Sequence, residues 1–586
     1  MDKNQIEARA REYCAREKEA RFRAEVEKLL AEGNFTELED RFYQRLEFGT
    51  GGLRGIIAGG LNRMNTLVVK SATQGLATYV AKAFPDKAAQ GALAAVIAYD
   101  CRHYSKEFAE GAACVFAANG IKTYLFSALR PTPELSYAIR VLKADTGIVV
   151  TASHNPPAYN GYKAYWNDGS QVIEPHDAGI IKEVNAVRDI KELDYAAALA
   201  AGLVKIIDKE IDEPFHKMIT SHLFRPALVK EKAGEVKIVY TPLHGTGAMH
   251  VEAVLGSIGL RVDTVPEQRE GNGDFPTVQL PNPEDPAALK MGIELAKKLH
   301  ADVVMATDPD ADRFGVAVPC GGDFVPITGN QMGCLLLDYV CLSLKELGKM
   351  PAKPAFVLSV VTSDMQKRVG ALYGVEALEC LTGFKWIADI MRKAEEGSID
   401  RQIVFGDEES YGYLVENEVR DKDGISAAAI CAEMTIYWRT QGKSLIDRLH
   451  ELYAQCGYWM EAGISKYFEG PQGASIMAGL LDNFRKNPPK TFGGIGVEKI
   501  RDLEASIVRY MDTGKTEKVE LPKSDVLQFY LKNGTVISAR PSGTEPKIKF
   551  YINGYENIGA GGLDAAKQEL GKKFDAIKAE INKALS

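Results

Sequence analysis

Residues 147–156, Gly-Ile-Val-Val-Thr-Ala-Ser-His-Asn-Pro, pass from an apolar run directly into a small polar loop. The apolar run predicts a buried strand, and the loop presents the hydroxyl of Ser153 at the carboxyl end of that strand. Open α/β sheets place their chemistry at this edge. The loop continues through Pro-Ala-Tyr-Asn-Gly-Tyr to Lys163, ten positions after the serine. Ser153 is therefore a candidate reactive group. The strength of this prediction depends on whether other loops of the chain carry groups that a reactive serine needs.

Apolar runs of this kind alternate with helical stretches along most of the chain. They lie at 94–99, 147–150, 236–240, 302–306, 355–361 and 402–405. Such alternation is typical of βα units around mostly parallel sheets. Three runs end in a polar loop: the one before Ser153, the one before Thr-Asp-Pro-Asp-Ala-Asp-Arg at 307–313, and the one before Asp-Glu-Glu-Ser-Tyr-Gly at 407–412. The repeated pattern of an apolar run followed by a polar loop predicts three successive α/β domains, each with one polar loop at the end of a strand.

The two ends of the chain differ from this pattern. Residues 1–47 carry apolar residues at helical spacing, which predicts a helical lead-in. Near the other end, strand-like runs and a charged helix indicate a smaller α+β domain. These runs lie at 526–532, 535–539 and 547–552, and the helix at 562–584. We predict domains over 1–210, 211–325, 326–457 and 458–586, the first three α/β with mixed, mostly parallel sheets.

Bulk properties narrow the class of protein. The chain has 586 residues and a formal net charge of −8, which argues against nucleic acid or an anionic membrane as a partner. Nine cysteines are dispersed without a C-x-x-C pair or a zinc-ligand spacing, which favours reduced thiols and a cytoplasmic location. We expect neither a signal peptide nor a membrane span, because no apolar run has the required length.

The loop at 307–313 places carboxylates at alternate positions, Asp308, Asp310 and Asp312. Oxygen ligands converging from one loop suit a hard divalent cation, Mg²⁺ before Ca²⁺. An EF-hand does not fit, because its sixth and twelfth positions would be Arg313 and Pro319. A haloacid-dehalogenase-type phosphatase, with Asp308 as nucleophile, and a solvated acidic turn both remain alternatives.

Three further segments carry groups that suit a phosphosugar. Arg-Pro-Ser-Gly-Thr-Glu-Pro at 540–546 joins a guanidinium fork for phosphate to a glycine turn, although an ordinary turn has the same composition. The carboxylates at 407–409 could accept hydrogen bonds from sugar hydroxyls or cap a helix. Thr-Gly-Phe-Lys-Trp at 382–386 could contact phosphate and sugar or close a core. His-Gly-Thr-Gly at 244–247 lacks the third glycine of a dinucleotide fingerprint.

Taken together and in this order, the loops resemble those of the α-D-phosphohexomutase superfamily over nearly the whole chain. The matching elements are Gly-Thr-Gly-Gly-Leu-Arg-Gly at 49–55, Thr-Ala-Ser-His-Asn-Pro at 151–156 with Asn-Gly-Tyr-Lys at 160–163, Asp-Pro-Asp-Ala-Asp-Arg at 308–313, Gly-Asp-Glu-Glu-Ser-Tyr-Gly at 406–412, and the loop at 540–546. The resemblance implies a four-domain enzyme with one loop per domain around a central cleft.

The resemblance also implies roles for individual residues. Ser153 would be the phosphoserine, and its phosphate would join Asp308, Asp310 and Asp312 as ligands of one Mg²⁺. The implied catalytic group comprises Ser153, Arg54, Lys163, His154 and Arg313. The implied substrate-binding group comprises Thr382, Gly383, Lys385, Glu408, Ser410, Arg540, Ser542, Gly543 and Thr544. Lys163 and His154 are both candidates for the general base, and His154 could equally be a structural turn histidine.

The implied reaction is the interconversion of glucose 1-phosphate and glucose 6-phosphate, with glucose 1,6-bisphosphate as intermediate and activator. Thr-Gly-Phe-Lys at 382–385 is similar to the phosphoglucomutase branch, whereas the mannose-active branch more often has Thr-Gly-His. Chain length and Glu-Glu-Ser-Tyr-Gly-Tyr resemble a bacterial subgroup similar to phosphopentomutase-type enzymes. Pentose or mannose phosphates therefore remain alternative substrates, and a Mg²⁺-dependent sugar-phosphate phosphatase remains an alternative activity.

An inactive phosphosugar sensor is disfavoured by the presence of Ser153 with all three aspartates. The sequence indicates no oligomeric state.

Overall fold

The apolar run that leads to Ser153 forms a fully buried inner strand of a six-stranded sheet. This is seen in a computed structural model that describes residues 1–49, 51–468, 473–541 and 547–585. The chain packs into two units. The first contains Met1–Gly329, Met391–Ile399 and Ser410–Thr440, and the second contains Asn330–Ile390, Asp400–Glu409 and Gln441–Ser586.

The N-terminal helices and the first sheet come from the opening third of the chain. Their elements are α1 (Lys3–Arg16), α2 (Ala20–Glu32), α3 (Phe35–Phe42), β1 (Gly52–Ile56), α4 (Thr66–Ala83), α5 (Pro85–Ala89), β2 (Ala94–Tyr99), α6 (Ser105–Ala118), β3 (Lys122–Phe126), α7 (Thr132–Val141), β4 (Thr146–Val150), β5 (Tyr159–Trp166), α8 (His176–Ala186), α9 (Tyr195–Ala200), β6 (Val204–Ile207) and α10 (Lys209–Ser221). The strand order is β1-β5-β4-β2-β3-β6, in which β4, β2, β3 and β6 are parallel and β5 pairs antiparallel with both β4 and β1.

The second sheet has the same mixed character. Its region comprises α11 (Pro226–Lys232), a 3-10 turn (Ala233–Glu235), β7 (Ile238–Thr241), α12 (Gly247–Ser257), β8 (Val262–Thr264), α13 (Pro266–Arg269), α14 (Lys290–Leu299), β9 (Val303–Thr307), β10 (Phe314–Cys320) and β11 (Asp323–Ile327). In the order β11-β10-β9-β7-β8, the strands β9, β7 and β8 are parallel. The two added strands, β10 and β11, are antiparallel.

The next region supplies elements to both units. It comprises α15 (Gly329–Glu346), β12 (Pro354–Ser359), α16 (Met365–Leu372), β13 (Glu376–Cys380), α17 (Phe384–Glu395), β14 (Gln402–Glu408), β15 (Gly412–Leu414), α18 (Gly424–Thr440) and α19 (Leu445–Cys456). Within the second unit, β13, β12 and β14 lie side by side and parallel.

The C-terminal part is an antiparallel sheet closed by a long helix. Its elements are β16 (Tyr458–Tyr467), α20 (Gly473–Lys486), β17 (Thr491–Phe492), β18 (Ile495–Asp502), β19 (Ile507–Tyr510), β20 (Thr516–Lys518), β21 (Leu527–Leu531), β22 (Val536–Pro541), β23 (Lys547–Glu556) and α21 (Gly562–Leu585). The main strand order is β16-β23-β22-β21-β18-β19-β20. Phe529, Ile537 and Phe550 of the sheet and Leu570 and Phe574 of α21 share one apolar core, which holds the helix to the sheet.

The predicted fold class of mixed, mostly parallel α/β sheets with a β-rich C-terminal part is confirmed, and so is the helical lead-in. One boundary differs from the sequence expectation. The strand predicted over 402–405 continues to Glu408, so Asp407 lies inside the strand rather than at the start of a loop. Its buried carboxyl group accepts a hydrogen bond of 2.6 Å from Gln366 Nε2, and burial raises the pKa of this carboxyl well above its usual range, which favours the uncharged form.

Candidate active site

The first part of the site is the loop between β4 and β5, which carries Ser153. The serine is 4% exposed and has a left-handed backbone with φ of 49°. Its N–H donates to Thr151 Oγ1 at 2.8 Å, and its Oγ donates to Asp308 Oδ2 at 2.7 Å. The predicted nucleophile and the predicted metal loop, 155 positions apart in the chain, are therefore in direct contact.

The metal loop follows β9 and holds Asp308, Asp310 and Asp312, all buried. One carboxylate oxygen from each lies within 4.8 Å of the others, and among the described residues this is the only such acidic or thiol group. Oδ1 of Asp310 and Oδ1 of Asp312 are buried and accept no hydrogen bond from the described chain. Buried anionic oxygens without donors are costly unless a cation joins them, so the donor set fits a hard divalent ion. Burial and the neighbouring carboxylates raise the pKa of Asp308 well above its usual range.

Two ammonium groups lie against this loop. Lys163 Nζ is 2.6 Å from Asp310 Oδ2 and 3.0 Å from Asp312 Oδ2. Lys422 Nζ is 3.2 Å from Asp312 Oδ2. Burial by itself would lower the pKa of Lys163, but Asp310 and Asp312 raise it above its usual range. Although burial opposes it, the ammonium groups of Lys163 and Lys422 and the Arg313 guanidinium lower the pKa of Asp312, which keeps this carboxylate charged.

The remaining predicted cations occupy the same region. The backbone N–H of Arg313 donates to Asp308 Oδ1 at 3.0 Å, and its guanidinium pairs with Glu284. Arg54 extends from β1 and donates to Asn155 Oδ1 in the serine loop at 3.1 Å. Three fixed positive charges, those of Arg54, Lys163 and Arg313, thus surround the serine and the triad.

His154 is adjacent to the nucleophile, with Nδ1 3.1 Å from Ser153 Oγ. Burial and the positive charges of Arg313 and Arg54 lower the pKa of this imidazole well below its usual range. The ring is therefore neutral near pH 7 and could exchange a proton with an oxygen.

Two residues that contact the triad were missed by sequence reasoning. Thr132, at the start of α7, donates from Oγ1 to Asp310 Oδ2 at 2.9 Å and from its N–H to the Asp310 carbonyl at 2.9 Å. Lys422 follows Asp421 in the turn that precedes α18. No spacing connects residue 132 or residue 422 to the triad; the only available signal was a polar Asp-Lys-Asp-Gly turn, at 421–424, before a long apolar helix.

The His-Gly-Thr-Gly motif is explained by packing against the metal loop. Thr246 N–H donates to the Pro309 carbonyl at 2.8 Å. A Cβ at Gly245 would lie 2.3 Å from Pro309 Cα, and one at Gly247 would lie 2.5 Å from Thr307 Oγ1. Side chains are excluded here because helix α12 approaches the loop too closely for them.

In the second unit, the structure brings together part of the predicted substrate-binding group. Glu408 Oε1, at the end of β14, accepts a hydrogen bond of 2.7 Å from the N–H of Gly383, whose φ of 114° suits glycine. Lys385 lies in the first turn of α17 with Nζ 5.6 Å from the centre of the Trp386 ring. Thr382 Oγ1 is buried without a hydrogen-bond partner among the described residues. Ser410, by contrast, belongs to the first unit.

Arg540 lies in β22 of the second unit. Burial and the charges of Glu409 and Glu408 raise the pKa of the Tyr551 phenol, whereas the charge of Arg540 opposes this rise. The other predicted phosphate-loop residues, Ser542, Gly543 and Thr544, lie outside the described residues.

Comparison with known families places this arrangement in a class. Models of the four phosphoglucomutase/phosphomannomutase domains match consecutive parts of the chain: α/β/α domain I over 45–191, α/β/α domain II over 213–321, α/β/α domain III over 328–456 and the C-terminal domain over 490–561. The chain belongs to the phosphoglucomutase/phosphomannomutase family of the α-D-phosphohexomutase superfamily, and it is a mutase, an enzyme of the isomerase class.

The similar proteins are named for different sugar substrates. Phosphopentomutase of Mus musculus is 35% identical over 574 residues, with 94% of this chain and 91% of that protein covered. Phosphoglucomutase of Staphylococcus saprophyticus is 34% identical over 513 residues, with 87% and 90% covered. The open form of parafusin, a phosphoglucomutase from Paramecium, shares the fold with a TM-score of 0.67 at 17% identity, with 93% and 94% covered.

Within the described residues, none of the helices has the length and apolar character needed to cross a membrane.

Proposed function

We propose that this enzyme interconverts glucose 1-phosphate and glucose 6-phosphate through a phosphoserine at Ser153 and a glucose 1,6-bisphosphate intermediate. The observation that carries the proposal is the contact of 2.7 Å between Ser153 Oγ and Asp308 Oδ2, at the edge of a buried triad surrounded by cations. Phosphoryl transfer depends mainly on the positioning of the reacting groups and on charge neutralisation, and the carboxylates and cations around Ser153 suit both tasks.

In this proposal Asp308, Asp310 and Asp312 hold one Mg²⁺, which when bound offsets negative charge on the transferring phosphoryl oxygens. Arg54, Lys163 and Arg313 provide fixed positive charge beside Ser153. A sugar hydroxyl attacks the phosphorus of phosphoserine and passes its proton to a general base, while the bond between phosphorus and Ser153 Oγ breaks and Ser153 Oγ takes up a proton. In the second half of the cycle, Ser153 Oγ loses its proton and attacks the other phosphorus of the bisphosphate. The bond between that phosphorus and the sugar oxygen breaks, and the sugar oxygen is protonated.

Lys163 and His154 are both candidates for the general base. His154 is neutral and lies 3.1 Å from Ser153 Oγ, which suits a proton acceptor. Lys163 is held in its charged form by two carboxylates, which suits a proton donor and an electrostatic role. Separate pH–rate profiles of His154→Gln and Lys163→Met distinguish them, because only loss of the base removes the limb of the profile on which activity rises with pH.

The test of the phosphoserine is Ser153→Ala. Mutase turnover is expected to fall by several orders of magnitude, since the group that carries the phosphate between the two half-reactions is gone. Intact-mass measurement after incubation with glucose 1,6-bisphosphate should show one added phosphate on the wild type and none on the variant. Ser170→Ala removes a buried hydroxyl whose hydrogen bonds within the described residues go to Asp168; this matched control should keep both properties.

The same assay separates the alternative activities. Release of inorganic phosphate from glucose 1-phosphate by Ser153→Ala would support the phosphatase, in which Asp308 acts as nucleophile. Mutase turnover in Ser153→Ala near the wild-type rate would contradict the phosphoserine route.

The sugar is proposed from the Phe384-Lys385 form and from Glu408, whose carboxylate suits vicinal hydroxyls. We expect glucose 1-phosphate to have the highest kcat/KM in a panel that also contains the 1-phosphates of mannose, ribose and deoxyribose. Phosphopentomutase activity is the second candidate, favoured by the 35% identity to the mouse phosphopentomutase. A higher kcat/KM for either pentose phosphate would select it and leave the Ser153 chemistry unchanged.

A further inference from the structure

Arg102 follows β2 and has a guanidinium group turned toward the main chain of the serine loop. The residue is 3% exposed. Nη1 donates to the carbonyls of Pro156 and Tyr159 at 2.9 and 3.0 Å, and Nη2 donates to the carbonyls of Ser153 and Asn155. One side chain therefore donates to four carbonyls, three in the loop after β4 and one on the first residue of β5.

The guanidinium is itself held on its other sides. Nε lies 3.3 Å from Asp100 Oδ2, and this carboxylate also accepts a hydrogen bond of 2.7 Å from Thr151 Oγ1 at the start of the serine loop. The Phe275 ring covers the guanidinium, with 4.9 Å between Arg102 Cζ and the ring centre. The segment before Phe275 is pressed against the same turn, because a Cβ on Gly273 would lie 2.9 Å from the Cys101 carbonyl oxygen.

The serine loop needs such a support. Ser153 has φ of 49°, a left-handed conformation that is strained for a non-glycine residue and persists only when its surroundings impose it. The direction of the Cα–Cβ bond, and with it the position of Oγ, follows from this backbone. Among the described contacts, Arg102 touches neither Ser153 Oγ nor the carboxylates of the triad.

We propose that Arg102 is a positioning residue for phosphoryl transfer: by holding the carbonyls of residues 153, 155, 156 and 159, it keeps Ser153 Oγ aimed at the metal loop. The inference rests on the proposed role of Ser153. Lysine cannot replace this arginine, because an ammonium has three donors on one atom, whereas the guanidinium distributes five donors in a rigid plane.

The experiment compares Arg102→Lys with Arg448→Lys in the full-length enzyme. Arg448 is also buried and bound bidentately, to Asp338 at 2.6 and 2.8 Å, but it belongs to the second unit and to none of the catalytic or binding groups. Three quantities are measured: kcat and KM for glucose 1-phosphate, the single-turnover rate of Ser153 phosphorylation by glucose 1,6-bisphosphate, and the phosphate incorporated per chain.

For Arg102→Lys we expect kcat and the phosphorylation rate to fall together by about a hundredfold or more, since a displacement near 1 Å of a reacting group can cost this much. KM should stay within about threefold, and the incorporated phosphate should still reach one per chain, because the loss lies in the reacting geometry. Arg448→Lys should lower the thermal midpoint while leaving kcat within about threefold.

A purely structural role gives a different result: less than one phosphate per chain, incorporated at the wild-type rate, because only a folded fraction reacts. That result overturns the proposal, as does a wild-type kcat. If Arg102→Lys does not fold, Asp100→Asn is the second variant. Loss of the charge that faces Arg102 Nε should lower kcat about tenfold at unchanged KM. A wild-type kcat in Asp100→Asn would also overturn the proposal. Turnover by Ser153→Ala would refute the proposed function, whereas an inactive Ser153→Ala with a normal Arg102→Lys refutes only the positioning role.

Discussion

The carboxyl groups of Glu416 and Asp423 lie against each other in the interior of the first unit, with exposures of 1% and 0%. Asp423 Oδ1 accepts hydrogen bonds from the N–H groups of Ile425 and Ser426, at the start of α18. Asp423 Oδ2 and both carboxyl oxygens of Glu416 are buried without a donor from the described chain. Two carboxylates cannot both stay ionised in such a place, so the pair must share a proton.

Glu416→Gln tests this shared proton. Burial raises the pKa of Asp423 to about 6, and burial with the neighbouring carboxylate raises the pKa of Glu416 well above its usual range. Because the folded pKa values exceed the unfolded ones, the stabilisation is complete below about pH 4 and is lost as the pH rises through about 6. Glutamine donates an N–H at every pH. We expect the stability of the variant relative to wild type to increase by roughly 2 kcal/mol between pH 4 and pH 7.

The measurement is the thermal midpoint of both proteins across this pH range. Glu12→Gln, a change at an exposed helical position with 69% of its side chain accessible, is the control and should give a difference that does not vary with pH. Parallel midpoint curves for wild type and Glu416→Gln would show that the pair holds no shared proton.

At the scale of elements, the turn that leads into helix α12 packs directly against the metal loop. Gly245→Ala would place a methyl group 2.3 Å from Pro309 Cα and 2.6 Å from its carbonyl oxygen, closer than any real contact, so the loop must move. We expect kcat to fall by at least about tenfold and the Mg²⁺ concentration for half-maximal activity to rise, because the aspartates flanking Pro309 lose their alignment.

The matched control is Gly256→Ala near the end of helix α12, where an added Cβ meets no atom within 4 Å. This change should leave the Mg²⁺ dependence unaltered and stabilise the helix by about 0.5–1 kcal/mol. Titrating Mg²⁺ in an activity assay of both variants measures the effect. Equal Mg²⁺ dependence in the two would mean that the close contact has no bearing on the metal loop.

The elements themselves were largely predictable from local patterns. Apolar runs placed β2, β4, β7, β9 and β12 within a few residues, because a buried strand needs a continuous apolar sequence. The end of β14 was misplaced because Asp407 has the composition of a loop residue, whereas its pairing with Leu358 of β12 and its hydrogen bond from Gln366 place it in the strand. The domain limits at 210, 325 and 457 stay predictions.

At the scale of the whole molecule, the proposed catalytic cycle sets a requirement on Arg540. The chain contains a single Arg-Pro-Ser-Gly-Thr sequence and a single candidate phosphoserine. In the proposed cycle, a bisphosphate presents first one phosphate and then the other to Ser153, and we expect one distal site to hold the phosphate of both sugar orientations. Arg540→Ala should therefore weaken glucose 1-phosphate and glucose 6-phosphate alike, by about 2–4 kcal/mol each, since charge-assisted bidentate contacts are strong.

Calorimetry on the dephosphorylated enzyme measures both affinities. Lys515→Ala, which removes an ammonium with 66% of its side chain exposed from the C-terminal part, should leave both unchanged. Weakening of only one monophosphate would indicate two separate phosphate sites and contradict reorientation at a single one.

The sequence by itself determined the fold class, the family resemblance and the three groups on which the proposal depends: a serine after a buried strand, alternate aspartates after another, and an arginine before a Pro-Ser-Gly sequence. These are local features, since side-chain periodicity and loop composition depend on neighbouring residues. Only the tertiary structure decided which groups meet. Lys163 faces Asp310 and Asp312 because β5 pairs with β4 in a register that sets Lys163 opposite Val149, and a shift of one residue would turn its side chain to the other face. Lys422, Thr132 and Arg102 reach the site through the packing of distant elements, which no local pattern encodes.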